Sequence, residues 1–219
     1  VLFVQPADAA NPSSLPPAID RRAGDMTLEQ ITRGCIEFLG SSAADGRPQP
    51  FFLMVEGGIV DWLCHANDTA AVLAETYDLG RSVALALEFY RRYPAETLIV
   101  VTADHETGGL AVGRGETAPM SFDALARQTA SVIGVTMRLR ALRDARPGET
   151  VPWDDVRGVL RESYGFWDYT ELTPEEETLL KESYEKSFRS QEGPLVRSLY
   201  YAVEPVADCA VGIVARRTG

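Results

Sequence analysis

Both histidines of this chain stand beside carboxylates. His65 lies in "MVEGGIVDWLCHAND" (54–68), four residues after Asp61, and the same stretch carries Glu56. His105 lies in "VTADHETGG" (101–109), directly after Asp104. Carboxylate oxygen and imidazole nitrogen are donors that zinc accepts at roughly 2.0–2.2 Å. Three carboxylates gathered at one place would raise one another's pKa unless cations compensate. Divalent metal binding is therefore the chemistry this set could do. Each piece alone has a plainer reading. Asp-x-x-x-His is often a pair on a helix surface, Asp-His can be a capped turn, and Glu56 by itself is uninformative. The joint pattern is more specific, because it uses every histidine in the chain. Glycines at 57, 58, 108 and 109 lower backbone bulk beside these residues, which lets backbone approach a ligand closely.

The elements that must position them can be read outward from there. "FFLMV" (51–55) and "TLIVV" (97–101) are short continuous apolar runs, which suit buried parallel strands covered by helices on both faces. Between them a long helix is expected from about Asn67 to Tyr93. Its apolar stripe would be Leu73, Tyr77, Ala84 and Leu87, widened by Val83 and Tyr90, with Pro94 after its end. Strand, helix and strand form a βαβ crossover. In such a sheet ligands bind beyond the carboxyl ends of the strands. Glu56 follows one run directly, and Asp104 and His105 follow the other. If Asp61 to His65 is a helical turn, both side chains share one face. The expected fold class is α/β, with a mostly parallel central sheet flanked by helices.

Upstream, "MTLEQITRGCIEFLG" reads as a helix with capping-box spacing at Thr27 and Gln30 and Gly40 at its exit. Beyond Gly113 the texture changes. Residues 121–146, 152–164, 173–190 and about 195–218 all read as helices, with Ser121 and Thr173 as N-caps. The expected organisation is a core over 1–112 and a mainly helical insertion, returning toward the core, over 113–219. Charge runs such as "TPEEETLLKESYEKS" read as solvated helix faces.

Composition narrows the partners. The 219 residues carry 21 basic against 32 acidic side chains, a net charge of −11. Such a chain repels nucleic acid and anionic membrane. No apolar run approaches the roughly 20 residues of a membrane span. Cys35, Cys64 and Cys209 are too few and too unpatterned for a disulfide framework and read as buried thiols. The opening "VLFV" reads as a core strand with nothing before it, and the expectation is a piece of something longer.

"FFLMVEGGIVDWLCHAND" followed by "LIVVTADHETGGL" resembles the alkaline phosphatase family, and "AIDRRAGDMTLEQITRGCIEFL" resembles the approach to that motif. The likeness covers residues 1–112 well and the helical segment loosely. It implies that Glu56 is a magnesium ligand, that Asp61 and His65 hold one catalytic zinc, and that Asp104 and His105 hold the other. It implies hydrolysis of phosphate monoesters through a phosphoenzyme, with one zinc activating a serine and the other the leaving oxygen and then water. It also implies an extracytoplasmic or periplasmic setting and a homodimer.

The family's Asp-Ser-Ala nucleophile segment is not among these residues. Asp68-Thr69-Ala70 stands in a helix start and reads as a cap. The chain also lacks a third histidine for the family's last zinc position. The expectation is a phosphatase chain that binds zinc weakly and is inactive alone. The alternative, from another class, is a non-catalytic metal-binding or interaction protein that keeps the fold without the nucleophile.

Overall fold

The computed structural model describes residues 15–41, 49–112, 122–189, 195–196 and 202–218. The expected strand at 1–4 and the cap at Ser121 lie outside them. The chain divides into two compact units, Val1–Gly58 with Ala74–His105, and Ile59–Leu73 with Glu106–Gly219.

In the first unit, α1 (Leu28–Leu39) starts as its sequence requires. Thr27 accepts from the Gln30 backbone and the Gln30 side chain accepts from the Thr27 N–H, a complete capping box. Gly40 ends the helix where a Cβ would come 2.7 Å from the Ile36 carbonyl oxygen. The long helix α3 (Thr69–Arg92) forms over the expected span, but the stripe it buries differs from the expected one. Leu73 and Tyr77 are 54% and 70% exposed, and Ala84, Leu87 and Tyr90 are exposed as well. From Ala74 onward its buried positions are Glu75, Asp78, Ser82 and Leu85. Three of these are polar, and each is matched from the segment before α1 or from α1 itself. Ala18 N–H donates to Glu75. Arg21 reaches Asp78 at 2.6 Å, and Leu28 N–H donates to the same oxygen. Thr32 Oγ1 donates to Ser82 Oγ at 3.2 Å. Hydrogen-bond matching thus decides the buried face against hydropathy, since a buried polar group is tolerated when it is paired.

The mostly parallel central sheet expected from the sequence is not present among the described residues. Their only ladder is a short antiparallel pair, β1 (Leu195–Val196) with β2 (Ala202–Val203). Residues 51–55 and 97–101 carry no regular secondary structure. Their burial nonetheless alternates. Phe52, Met54, Leu98 and Val100 are 88%, 74%, 87% and 73% exposed, while Phe51, Leu53, Val55 and Ile99 are half-buried. Alternation is the side-chain habit of a strand. A strand also needs a hydrogen-bonding neighbour, and sequence periodicity does not supply one. Phe51 packs edge-on against Phe89 of α3, with ring centroids 5.5 Å apart.

The described residues from 122 onward are mainly helical. The range 121–146 resolves into α4 (Asp123–Arg127) and α5 (Val132–Asp144), with Ser131 capping α5 through the Gly134 N–H. Then come α6 (Trp153–Tyr164), α7 (Pro174–Phe188) and α8 (Pro205–Thr218). The last helix is expected from about 195, but β1 and β2 occupy the first part of that range and α8 starts only at Pro205. α8 packs against α4, α5, α6 and α7, over a core including Val135, Leu139, Leu160, Tyr164, Phe166, Leu180 and Ile213. Thr173 and Glu176 complete a second capping box, and Arg217 of α8 pairs with Glu176. Glu204 is buried and accepts from both terminal nitrogens of the Arg143 guanidinium, Nη1 and Nη2, at 2.9 and 3.0 Å.

Two of these carboxylates respond to pH with opposite sign. Burial pushes Glu75 above the usual carboxylate range. The folded state then binds its proton more tightly than the unfolded chain, so the stability it contributes falls as pH rises from about 4.5 through the raised value. The Arg217 guanidinium holds Glu176 below the usual range, so its contribution is present above about pH 4.5 and is lost on acidification. Glu75→Gln is expected to match the parent near pH 4 and exceed it at pH 7–8. Glu176→Gln is expected to be about 1 kcal/mol less stable than the parent at pH 7 and to converge with it below pH 4. Urea unfolding followed by circular dichroism across pH 3.5–8 measures both.

Candidate metal-binding site

Asp61 and His65 lie on α2 (Gly58–His65), as the four-residue spacing requires for a shared face. His65 Nε2 is 3.6 Å from Asp61 Oδ2, and both side chains are a little over one-third exposed. Asp104 and His105 follow the apolar run 97–101 in an irregular segment. There His105 Nε2 lies 3.5 Å from Asp104 Oδ2, and Asp104 Oδ1 accepts from the His105 backbone N–H at 3.0 Å. Two donors of one tetrahedral zinc are about 3.3 Å apart for bond lengths near 2.0–2.1 Å. Each Asp–His pair is therefore already at nearly the separation of a shared ion.

Glu56, Asp104 and His105 belong to the first unit, and Asp61 and His65 to the second. Glu56 is exposed and follows the run 51–55 directly, as expected. Among the described residues no group of three or more His, Cys, Asp or Glu side chains converges as a metal cage. The donor types and pair spacings thus suit zinc, while the number of donors in each pair is two, below the three or four of a tight site.

The second unit adds contacts that sequence reasoning missed. Thr107 Oγ1 donates to Asp61 Oδ1 at 2.7 Å. This leaves Oδ2 as the oxygen nearer His65. A partner of this kind fixes a ligand's orientation and basicity. Thr107 can reach because Gly108 lies against the end of α2. A Cβ on Gly108 would stand 2.2 Å from the Cys64 carbonyl oxygen, and φ there is +69°. Asn67, also left-handed at φ +54°, closes the turn after His65. The paired glycines were the visible signal, but their partner, the α2 carbonyl, could not be read from spacing. Cys64 is half-buried, and burial, followed by the Asp61 and Glu106 carboxylates, pushes its thiol up. A cleft of about 460 Å³ elsewhere in the second unit is lined by Arg143, Arg146, Glu149, Val151 and Phe188 and holds none of the candidate residues.

The pairs consist of donor types that divalent metals accept, and comparison with known proteins supplies the lineage. The family model for alkaline phosphatase matches residues 10–191. Alkaline phosphatase 4 of Bacillus subtilis is 36% identical over 96 residues, which is 44% of this chain and 20% of that protein. Streptomycin-6-phosphate phosphatase of Streptomyces griseus is 42% identical over 89 residues, 39% of this chain and 19% of that protein. The crystal structure of a cold-active alkaline phosphatase from a psychrophilic Shewanella superposes on 94% of this chain and 42% of its own, with a TM-score of 0.64 at 23% identity. That last likeness concerns the fold alone. The chain belongs to the alkaline phosphatase family. The matches to the curated relatives cover about a fifth of their length.

Gly108→Ala is expected to destabilise the second unit by about 2 kcal/mol or more, because the clash is with backbone and the conformation is left-handed. Its denaturation midpoint against that of Gly109→Ala, where a Cβ meets nothing within 4 Å, separates steric clash from backbone strain.

Proposed function

We propose that the protein carrying this chain is a metal-dependent phosphomonoester hydrolase, and that this chain contributes metal donors to it. The observation that carries the reading is the pair of Asp–His couples, each with carboxylate and imidazole 3.5–3.6 Å apart, in a chain of this family. Asp61 and His65 would hold one zinc, Asp104 and His105 the other, and Glu56 a magnesium ion. Bound cations would neutralise phosphoryl oxygens that a chain of net charge −11 otherwise repels. Thr107 holds one oxygen of Asp61, so that the other is presented with His65. The exposure of Asp104 and His105 leaves room for a substrate oxygen beside them. Residues 1–112 would carry the donors and 113–219 the helical insertion. The name of the Streptomyces relative points to small organic phosphates as the substrate class to try.

A second reading, a non-catalytic metal-binding protein, is favoured by one observation: each couple offers two donors. Both readings place zinc at the same residues and part on turnover.

Zinc is expected to perturb the ring resonances of both histidines in this chain, with weak affinity, and Asp61→Ala to abolish the response of His65. Thr107→Val should weaken zinc at His65 by about tenfold. Hydrolysis of an aryl phosphate by the 219-residue chain with zinc and magnesium is expected to be negligible. Histidine ring resonances unmoved by millimolar zinc would overturn the metal assignment, and robust hydrolysis by the isolated chain would overturn its expected inactivity.

A further inference from the structure

A carboxylate three residues past His65 has a larger role than capping its own helix. Asp68 is fully buried. Its Oδ1 accepts from the Ala71 N–H at 3.3 Å, which caps α3. The same oxygen accepts from Gln128 Nε2 at 2.6 Å, and Oδ2 accepts from the Val132 N–H, the first residue of α5, at 2.7 Å. Gln128 is itself held through a second bond from Nε2 to the Ala130 carbonyl. One charge thus sits at the N-termini of two helices, capping its own and reaching the first residue of the other 64 positions later, where two sets of helix dipoles favour it.

The backbone carries that anchoring to the metal donors. Asp68 N–H donates to the Leu63 carbonyl at 3.0 Å, and Ala66 N–H bonds the same carbonyl. Leu63 and Ala66 are buried. His65 therefore projects from a six-residue turn, 63–68, pinned at both ends. Asp61 lies one helical half-turn before that turn begins.

Resting on the metal reading above, we infer that Asp68 is a positioning residue for Asp61 and His65, through which Gln128 and α5 of the helical region set the aim of the candidate zinc donors. The capping role by itself does not need Gln128 or Val132. The two roles can be separated with serine, which caps a helix as well as aspartate does but has one short oxygen and no charge.

The test uses the full chain, in which the two histidines give two ring correlations by NMR, assigned with His105→Gln. Asp68→Ser is expected to shift the His65 correlation in metal-free protein and to weaken zinc at His65 by about tenfold, with His105 unmoved. Gln128→Ala should shift His65 in the same direction by less, and the double variant should go no further than Asp68→Ser. A His65 correlation and zinc response unchanged in Asp68→Ser overturn the inference, as does an equal movement of both histidines, which would be general loosening. If zinc moves neither histidine in the parent but Asp68→Ser shifts metal-free His65, positioning stands and the metal assignment fails. If Asp68→Ser loses its helical circular dichroism, Gln128→Ala decides: a His65 shift supports the inference and none overturns it.

Discussion

A desolvated carboxylate must find donors, and this chain is organised by that demand. Asp78, Asp68 and Glu204 are all buried in a protein that already carries eleven surplus negative charges. Each is met by groups distant in sequence: Asp78 by Arg21 and Leu28, Asp68 by Gln128 and Val132, Glu204 by Arg143. The net gain from such burial is small, because desolvation offsets most of the attraction. The specificity is the larger effect, because an acid that misses these donors would be left buried and under-paired. Each buried acid thus fixes which segment meets which helix, more sharply than interchangeable aliphatic contacts can.

This explains where the sequence was legible and where it was not. Local rules succeeded. The capping box at Thr27, the cap at Thr173, the extent of α3 and the cap at Asp68 depend on residues within a few positions of one another. Reasoning from hydropathy failed on α3, because the buried face is polar and its partners, Ala18, Arg21 and Thr32, lie about 50 residues earlier. The two apolar runs have strand composition and alternating burial, yet the sheet does not form among the described residues. Pairing is a property of neighbours, which composition does not encode.

The candidate donors follow the same division. Identity and spacing within each Asp–His couple were open to inspection. The support around Asp61 was not, because Thr107 reaches it across 46 residues and only where Gly108 allows contact with the α2 carbonyl. Outer contacts of this kind are chosen by shape, and a threonine beside two glycines carries no mark of the oxygen it will meet.

The alternation along 51–55 and 97–101 has a colloidal consequence. Phe52, Met54, Leu98 and Val100 turn bulky hydrocarbon toward water on segments that lack ladder partners among the described residues. Mutual repulsion between chains is what keeps such faces apart. The isoelectric point is near 4.7. Solubility should therefore pass through a minimum at mildly acidic pH, where that repulsion vanishes while the greasy faces persist.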